Sequence, residues 1–253
     1  MVKIVVNGAL GRMGGRVIAC AADDPEIELV GAVDLMEHDG APHVTKDLAA
    51  AVKRADVVID FTSHIGVPAT IDLVSNAGKA LVVGTTGLTR DEQSAIEKAA
   101  ASVPIVYAPN MSAGVNALFQ LVGHVAKTLG VGYDVEIVEA HHNQKKDAPS
   151  GTAKKLAENI AAALGRDLAD DGVYGRQGIT GARRPSEIGI HAVRAGDIVG
   201  EHTVIFAGPG ERIEITHRAH SRDTFARGAL RAAKWLVGKP PKLYSMLDVL
   251  GLV

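Results

Sequence analysis

A single cysteine, Cys20, stands in 253 residues, which excludes an intramolecular disulfide and any cysteine-rich zinc site. An excess of charge of one sign is missing too. Lys and Arg total 27 against 29 Asp and Glu, a formal charge of −2, so nothing favours a non-specific nucleic-acid binder or a polybasic membrane anchor. No apolar run approaches the roughly 18 residues that a bilayer crossing needs. Strand-like sequence begins at Val2, which leaves no pattern for a signal or transit segment. Internal repeats and low-complexity tracts are absent as well. The expectation is a soluble chain in a reducing, cytoplasmic compartment, without membrane or nucleic-acid partners. What is present is ordinary globular material: 47% apolar and 22% charged residues, enough for one large α/β domain or two modest ones with their own cores.

Residues 2 to 107 alternate short β-branched runs with Ala-rich amphipathic stretches. The runs are Val2–Val6, Leu29–Val33, Val57–Ile59, Leu81–Val83 and Val103–Val106. Strands this short and this continuously apolar predict a doubly wound parallel sheet of Rossmann type, covered by helices on both faces. After Asn110 the rhythm changes. A helix is predicted over about 113–129, then a strand Tyr133–Ala140, then a helix opening at Ser150 and running to about Leu164. The stretch from Arg166 to Pro185, rich in Gly, Asp and Arg, reads as a long surface loop. Three strand patterns follow, Glu187–Ala195, Gly200–Phe206 and Arg212–His217, and predict antiparallel sheet. The last two flank a turn at 207–211. A final helix over about 222–237 ends at Gly238, with Pro240 and Pro241 beyond it.

Three glycine-bearing or small-residue loops follow predicted strands. Gly8-Ala9-Leu10-Gly11-Arg12-Met13-Gly14 sits between a strand and a helix, where glycines allow a tight turn and close backbone approach to a pyrophosphate. Asp34 lies 20 residues after Gly14, placed to accept hydrogen bonds from ribose hydroxyls. Gly84-Thr85-Thr86-Gly87 and Ala108-Pro109-Asn110-Met111-Ser112 follow later strands, and their C-terminal ends are expected to open on the same crevice.

The densest polar cluster runs from Glu139 to Ala153 and contains His141, His142, Lys145 and Asp147. Two adjacent histidines at a strand end project to opposite sides, which makes them poor ligands for one metal. No metal is expected. Ser150 can cap the next helix, but Ala153 stands where a capping box needs Glu or Gln, so N–H groups stay open at the helix start. Lys154 and Lys155 oppose the helix dipole there, which suggests that a bound anion compensates them.

Glu139-Ala140-His141-His142-x-x-Lys145-x-Asp147-Ala148-Pro149-Ser150-Gly151-Thr152-Ala153 resembles the signature of the dihydrodipicolinate reductases. The glycine loop, Gly84 to Gly87, Ala108 to Ser112 and Ser221-Arg222-x-x-Phe225-Ala226-x-Gly228-Ala229 stand in that family's order. The resemblance spans essentially the whole chain. It implies a reductase of lysine synthesis that takes NADH or NADPH on one domain and reduces a cyclic dicarboxylate held by the other. By the same resemblance His141 is a proton donor or acceptor and Lys145 a second proton donor. His142 with Ser150, Gly151 and Thr152 would hold substrate carboxylate. Cofactor contacts would fall on Gly8, Ala9, Leu10, Gly11, Arg12, Met13, Asp34, Gly84, Thr85, Thr86, Ala108, Pro109, Asn110 and Met111.

The implied organisation is a dinucleotide-binding domain of residues 1–112 and 223–253, with an α+β substrate and tetramerisation domain, 113–222, built on an open mixed sheet. Asp34 is followed by Leu35, Met36 and Glu37, with no basic residue to grip a 2′-phosphate, so cofactor choice is expected to lean toward NADH. A semialdehyde dehydrogenase would want a nucleophilic cysteine in the second domain, and Cys20 lies in the first helix pattern.

Overall fold

The computed structural model describes residues 1–252. In chain order the strands and helices are β1 Val2–Asn7, α1 Arg12–Ala22, β2 Ile27–Val33, β3 Val44–Thr45, α2 Leu48–Val52, β4 Val57–Asp60, α3 Val67–Asn76, β5 Ala80–Val83, α4 Arg90–Ala99, β6 Pro104–Tyr107 and α5 Ala113–Leu129. They continue as β7 Asp134–His141, α6 Gly151–Leu164, α7 Leu168–Asp171, β8 Gly172–Tyr174, β9 Ile188–Arg194, β10 Gly200–Gly208, β11 Glu211–Ala219, α8 Asp223–Leu236, β12 Lys242–Tyr244 and α9 Met246–Leu250. Two compact units result: Met1–Ala113 with Arg222–Val253, and Gly114–Ser221.

In the first unit, seven strands pair in the order β12-β6-β5-β4-β1-β2-β3, all parallel. β4 and β5 are buried at every position, as a sheet covered on both faces requires. α1 and α8 fill one face around Ile4, Val6, Ile59 and Val82, with Ala226, Ala229, Ala233 and Leu236 supplied by α8. α2, α3 and α4 lie against Val5, Val58 and Leu81 on the other. The strand order reverses between β1 and β4, the point at which such sheets open a crevice at their carboxyl ends. The short pieces β3, β12 and α9 carry too few residues for a readable period and were not expected from the sequence.

The second unit is a five-stranded sheet, β11-β10-β7-β9-β8. β10 pairs antiparallel with β7 and β11, whereas β9 runs parallel to β7 and to β8. The expectation that β9 belongs to an antiparallel set is thus corrected. α6 separates β7 from β9 in the chain, and a helical crossover returns the next strand parallel. α5 and α6 cover one face, meeting Val135, Ile137, Ile188, Val204 and Phe206. The expected long loop from Arg166 to Pro185 is also corrected, because it contains α7 and β8. Arg166 and Arg183 tie the segment down, donating to the carbonyls of Pro185 and Glu187.

Candidate active site

Every candidate residue of the first unit lies at a carboxyl end of the parallel sheet, after β1, β2, β5 or β6. Gly8 takes φ +85°, and a Cβ there would come within 2.6 Å of the Phe61 carbonyl oxygen. Gly14 is buried, and a Cβ on it would overlap the Gly8 carbonyl. Both positions exclude any larger side chain. Gly11 caps α1 without a side-chain bond, so the first-turn N–H groups are left for a ligand. Asp34 shapes this loop as well as facing it: its Oδ2 accepts from the Leu10 N–H at 2.9 Å and its Oδ1 from the Leu35 N–H at 2.7 Å. Arg12 and Thr86 are exposed, and Met13 is half-buried. Ala108 and Met111 are buried, Pro109 is exposed and Asn110 half-buried.

One residue organises these loops without having been singled out in the sequence. Asp60, fully buried at the end of β4, accepts from Asn7 Nδ2 (3.0 Å), Thr70 Oγ1 (2.9 Å), Thr62 Oγ1 (2.8 Å) and Thr85 Oγ1 (2.7 Å). The carboxylate therefore ties the end of β1 and the loops after β4 and β5 to one point. With the Thr62 N–H at 3.1 Å these make five donors, all neutral, which offset part of the desolvation of the carboxylate. A carboxylate ending an otherwise apolar strand, Val57-Val58-Ile59-Asp60, was the available signal.

In the second unit the polar cluster condenses around Glu139. Val135, Ile137, Glu139 and His141 alternate inward along β7, so a carboxylate and an imidazole share the core face. Glu139 is completely buried. Its Oε2 lies 2.6 Å from His141 Nδ1, Arg194 reaches both of its oxygens at 2.8 Å, and the Ser150 N–H donates to Oε1 at 3.0 Å. Burial alone would raise this carboxyl, but the bonds from His141, Arg194 and Ser150 together hold it at about 2. His202 on β10 meets His141 edge to face, with ring centroids 5.2 Å apart. Its burial, with the positive field of His141, His217 and Lys145 on one side and Glu139 opposing, lowers its pKa to about 3. His202 is thus a neutral ring at physiological pH.

Ser150 caps α6 as expected, its Oγ accepting from the Ala153 N–H at 3.2 Å and lying 3.1 Å from His202 Nε2. Gly151 is exposed and Thr152 half-exposed in the first turn. His142 is half-buried, next to buried His141. Lys145 pairs with Asp147 at 2.8 Å. Lys155 meets Glu158 at 3.6 Å, which offsets one of the two cations at the helix start. Arg194 and His202 arrive from strands some 55 and 60 residues further along, and no local spacing announces them. Glu139 was visible as a charge in the inward register of β7.

Two family models match this chain: the N-terminal part of dihydrodipicolinate reductase over residues 2–111 and the C-terminal part over residues 114–250. The chain belongs to the dihydrodipicolinate reductase family. Relatives named 4-hydroxy-tetrahydrodipicolinate reductase agree along the full length. One from Anaeromyxobacter sp. (strain Fw109-5) is 52% identical over 264 residues, covering 100% of this chain and 98% of that one. Another, from Syntrophotalea carbinolica, is 49% identical, covering 100% of both. Among solved structures, a dipicolinate-bound dihydrodipicolinate reductase from Paenisporosarcina sp. TG-14 superposes with a TM-score of 0.78 at 25% identity, covering 98% of each chain. A probable dehydrogenase from Thermotoga maritima shares the fold at a TM-score of 0.62 and 13% identity.

A reductase of this family uses a nicotinamide dinucleotide, and the residues present fit one. Gly8 and Gly14 leave bare backbone where side chains would fill the approach to α1, and the carboxylate of Asp34 retains lone pairs beyond the two N–H groups it accepts.

Proposed function

We propose that this chain reduces 4-hydroxy-tetrahydrodipicolinate to tetrahydrodipicolinate in the diaminopimelate route to lysine, with the first unit holding the dinucleotide and the second the substrate. The observation that carries the reading is the Glu139–His141 pair beside an N-terminus of α6 that opens on Gly151 and Thr152. A dicarboxylate needs fixed donors, and the reaction needs a proton.

The reduced nicotinamide supplies a hydride when bound. The net change replaces a ring hydroxyl by hydrogen and consumes one hydride and one proton. The hydroxyl leaves as water together with a proton from the adjacent ring carbon, and after hydride addition that carbon, left with negative charge, regains a proton from the protein. His141 is the proton donor and Lys145, steered by Asp147, the second. Thr152, Gly151 and His142 hold one substrate carboxylate, favoured by the helix start. Ser150 is buried and engaged with Ala153 and His202, so it acts on this site by fixing the turn.

Gly8 to Met13 cradle the pyrophosphate, Asp34 takes the adenosine ribose, and Gly84 to Thr86 with Ala108 to Met111 line the nicotinamide half. NADH is preferred, because Asp34 repels a 2′-phosphate and Leu35, Met36 and Glu37 bring no compensating cation. The enzyme works in the cytoplasm as a homotetramer built through the second unit.

Supplying the freshly made product of dihydrodipicolinate synthase, and following oxidation of NADH and of NADPH in parallel, tests the reading. Substrate-dependent oxidation of both, with the higher kcat/KM for NADH, is expected. Absence of oxidation with either sinks the function, whereas a preference for NADPH above about tenfold, worth some 1.4 kcal/mol, sinks only the cofactor assignment.

A further inference from the structure

The neutral form of a histidine carries its proton on one nitrogen, and the partner of the other nitrogen decides which. His141 Nδ1 has Glu139 Oε2 at 2.6 Å. An ionised carboxylate only accepts hydrogen bonds, and Glu139 is held ionised from two further sides, by the two guanidinium nitrogens of Arg194 at 2.8 Å and by the Ser150 N–H. The proton therefore sits on Nδ1. The other nitrogen, Nε2, has no hydrogen-bond partner among the described residues. Gly200 faces it, and a Cβ at that position would stand 3.1 Å from Nε2, so the absence of a side chain keeps this edge of the ring clear.

We propose that Glu139 and Arg194 are positioning residues that fix the tautomer of His141, so that every proton His141 exchanges with substrate passes through Nε2. The inference rests on His141 being the proton donor. The protonated ring gives up the Nε2 proton to the ring carbon beside the hydride acceptor, breaking N–H and forming C–H. It is left neutral with Nδ1–H still bonded to Glu139, and no tautomer change is needed before solvent reprotonates Nε2. Arg194 has the opposite electrostatic sense. It neutralises Glu139, so the carboxylate orients the ring without acting as an uncompensated charge that would hold the proton too tightly. Arg194 Nη2 also donates to the Asp147 carbonyl at 2.6 Å, which ties the same carboxylate to the loop that carries Lys145.

The charged and titratable groups around the ring come from every neighbouring element. They are Glu139 on β7, Arg194 on β9, His202 on β10 with its strand partner His217 on β11, and the Lys145–Asp147 pair from the loop. Of these, only Glu139 bonds to the His141 ring, so the two variants below separate its effect from the general field.

The test uses the full chain with isotope-labelled histidine, titrated by NMR, with the His141 signals assigned by their loss in His141→Asn. In the wild type the neutral form of His141 is expected to be protonated at Nδ1. In Glu139→Gln the amide has no tautomer preference, a negative neighbour is gone and Arg194 is left uncompensated. The pKa of His141 should drop by about one unit or more, and kcat should fall by roughly 10² while KM for substrate stays near the wild-type value. In Arg194→Gln the pKa of His141 should move the other way, upward, because Glu139 loses its counter-ion.

A wild-type His141 protonated at Nε2 overturns the proposal. So does a Glu139→Gln enzyme with unchanged His141 titration and kcat, or a shift of both variants in the same direction. The wild-type tautomer decides the matter even where a variant fails to fold. Retention of wild-type kcat by His141→Asn would instead refute the proton-donor assignment, a result distinct from any reading of the tautomer.

Discussion

In the proposed reading Gly151 and Thr152 hold a substrate carboxylate with two kinds of donor, the N–H groups of a helix start and a hydroxyl. On that reading both would act on a charge that the substrate carries from its ground state to the transition state, and would contribute uniform binding rather than rate. Thr152→Val is accordingly expected to raise KM about tenfold or more, since a hydrogen bond to a charged group contributes roughly 1.5–3 kcal/mol, and to leave kcat within a few-fold. His141→Asn should do the reverse. Steady-state kinetics on the two variants decide it, and a large fall in kcat for Thr152→Val would move that hydroxyl from binding to chemistry. At this scale the sequence is legible where spacing is local: the glycine loop, and His141 through Thr152. It is opaque where a partner comes from afar. Asp60 and Asn7 are 53 residues apart, Glu139 and Arg194 are 55 apart, and only the tertiary fold makes either pair.

Two of the three carboxylates of β7, Glu136 and Glu139, differ in their partners but agree in sign. Glu139 points into the core, while Glu136 on the other face meets Arg176, Arg183 and His191 at 2.7–3.0 Å. Burial raises each, yet the bonds to those partners outweigh it and hold both at about 2, below the ordinary 4.5. A depressed folded pKa gives stability that is full above the unfolded value and is lost as pH falls through the folded one. Their contribution should thus disappear between about pH 4.5 and 2. His202, lowered from 6.5 to about 3, also binds more protons when unfolded, so its share of the loss begins earlier, as pH drops below 6.5. Urea midpoints measured from pH 7 to 3 should fall in two stages, and His202→Gln should flatten the first while leaving the second. An unaltered upper stage in that variant would contradict the assignment. Elements with a cap or a sustained period, such as α6 and α8, were readable from sequence. α7 and β8 were not, because four and three residues have no period; Arg184 holds α7 by donating to the Asp170 carbonyl, and β8 is held by pairing with β9.

Across the whole molecule the chain leaves the first unit at residue 113 and returns at 222 to complete it. The second unit is therefore an insertion between α8 and the sheet it covers, and it is free to specialise. Among the described residues, helices cover one side of its five-stranded sheet and leave the other bare. On the other, Val138, Thr203 and Ile205 are half-exposed between the charged residues Glu136, Glu201 and Arg218, Val193 remains 44% exposed, and Thr203 bonds Thr216 across the strands. An apolar stripe framed by ion pairs, Arg218 with Glu201 and Arg176 with Glu136, has the composition of an association surface rather than of a solvated sheet face. A face that pairs with its own copy about a two-fold axis buries about 800 Å² per chain in a stable contact, and the sheet edges at β8 and β11 leave room for a second such contact. Light scattering should return four times the chain mass across the micromolar range. Ile205→Asp places a charge from each copy at the centre of the face, so it should reduce that mass while leaving the helical and strand content seen by circular dichroism unchanged. A wild-type mass equal to one chain at every concentration would remove the tetramer, and a tetrameric Ile205→Asp would move the interface to another surface.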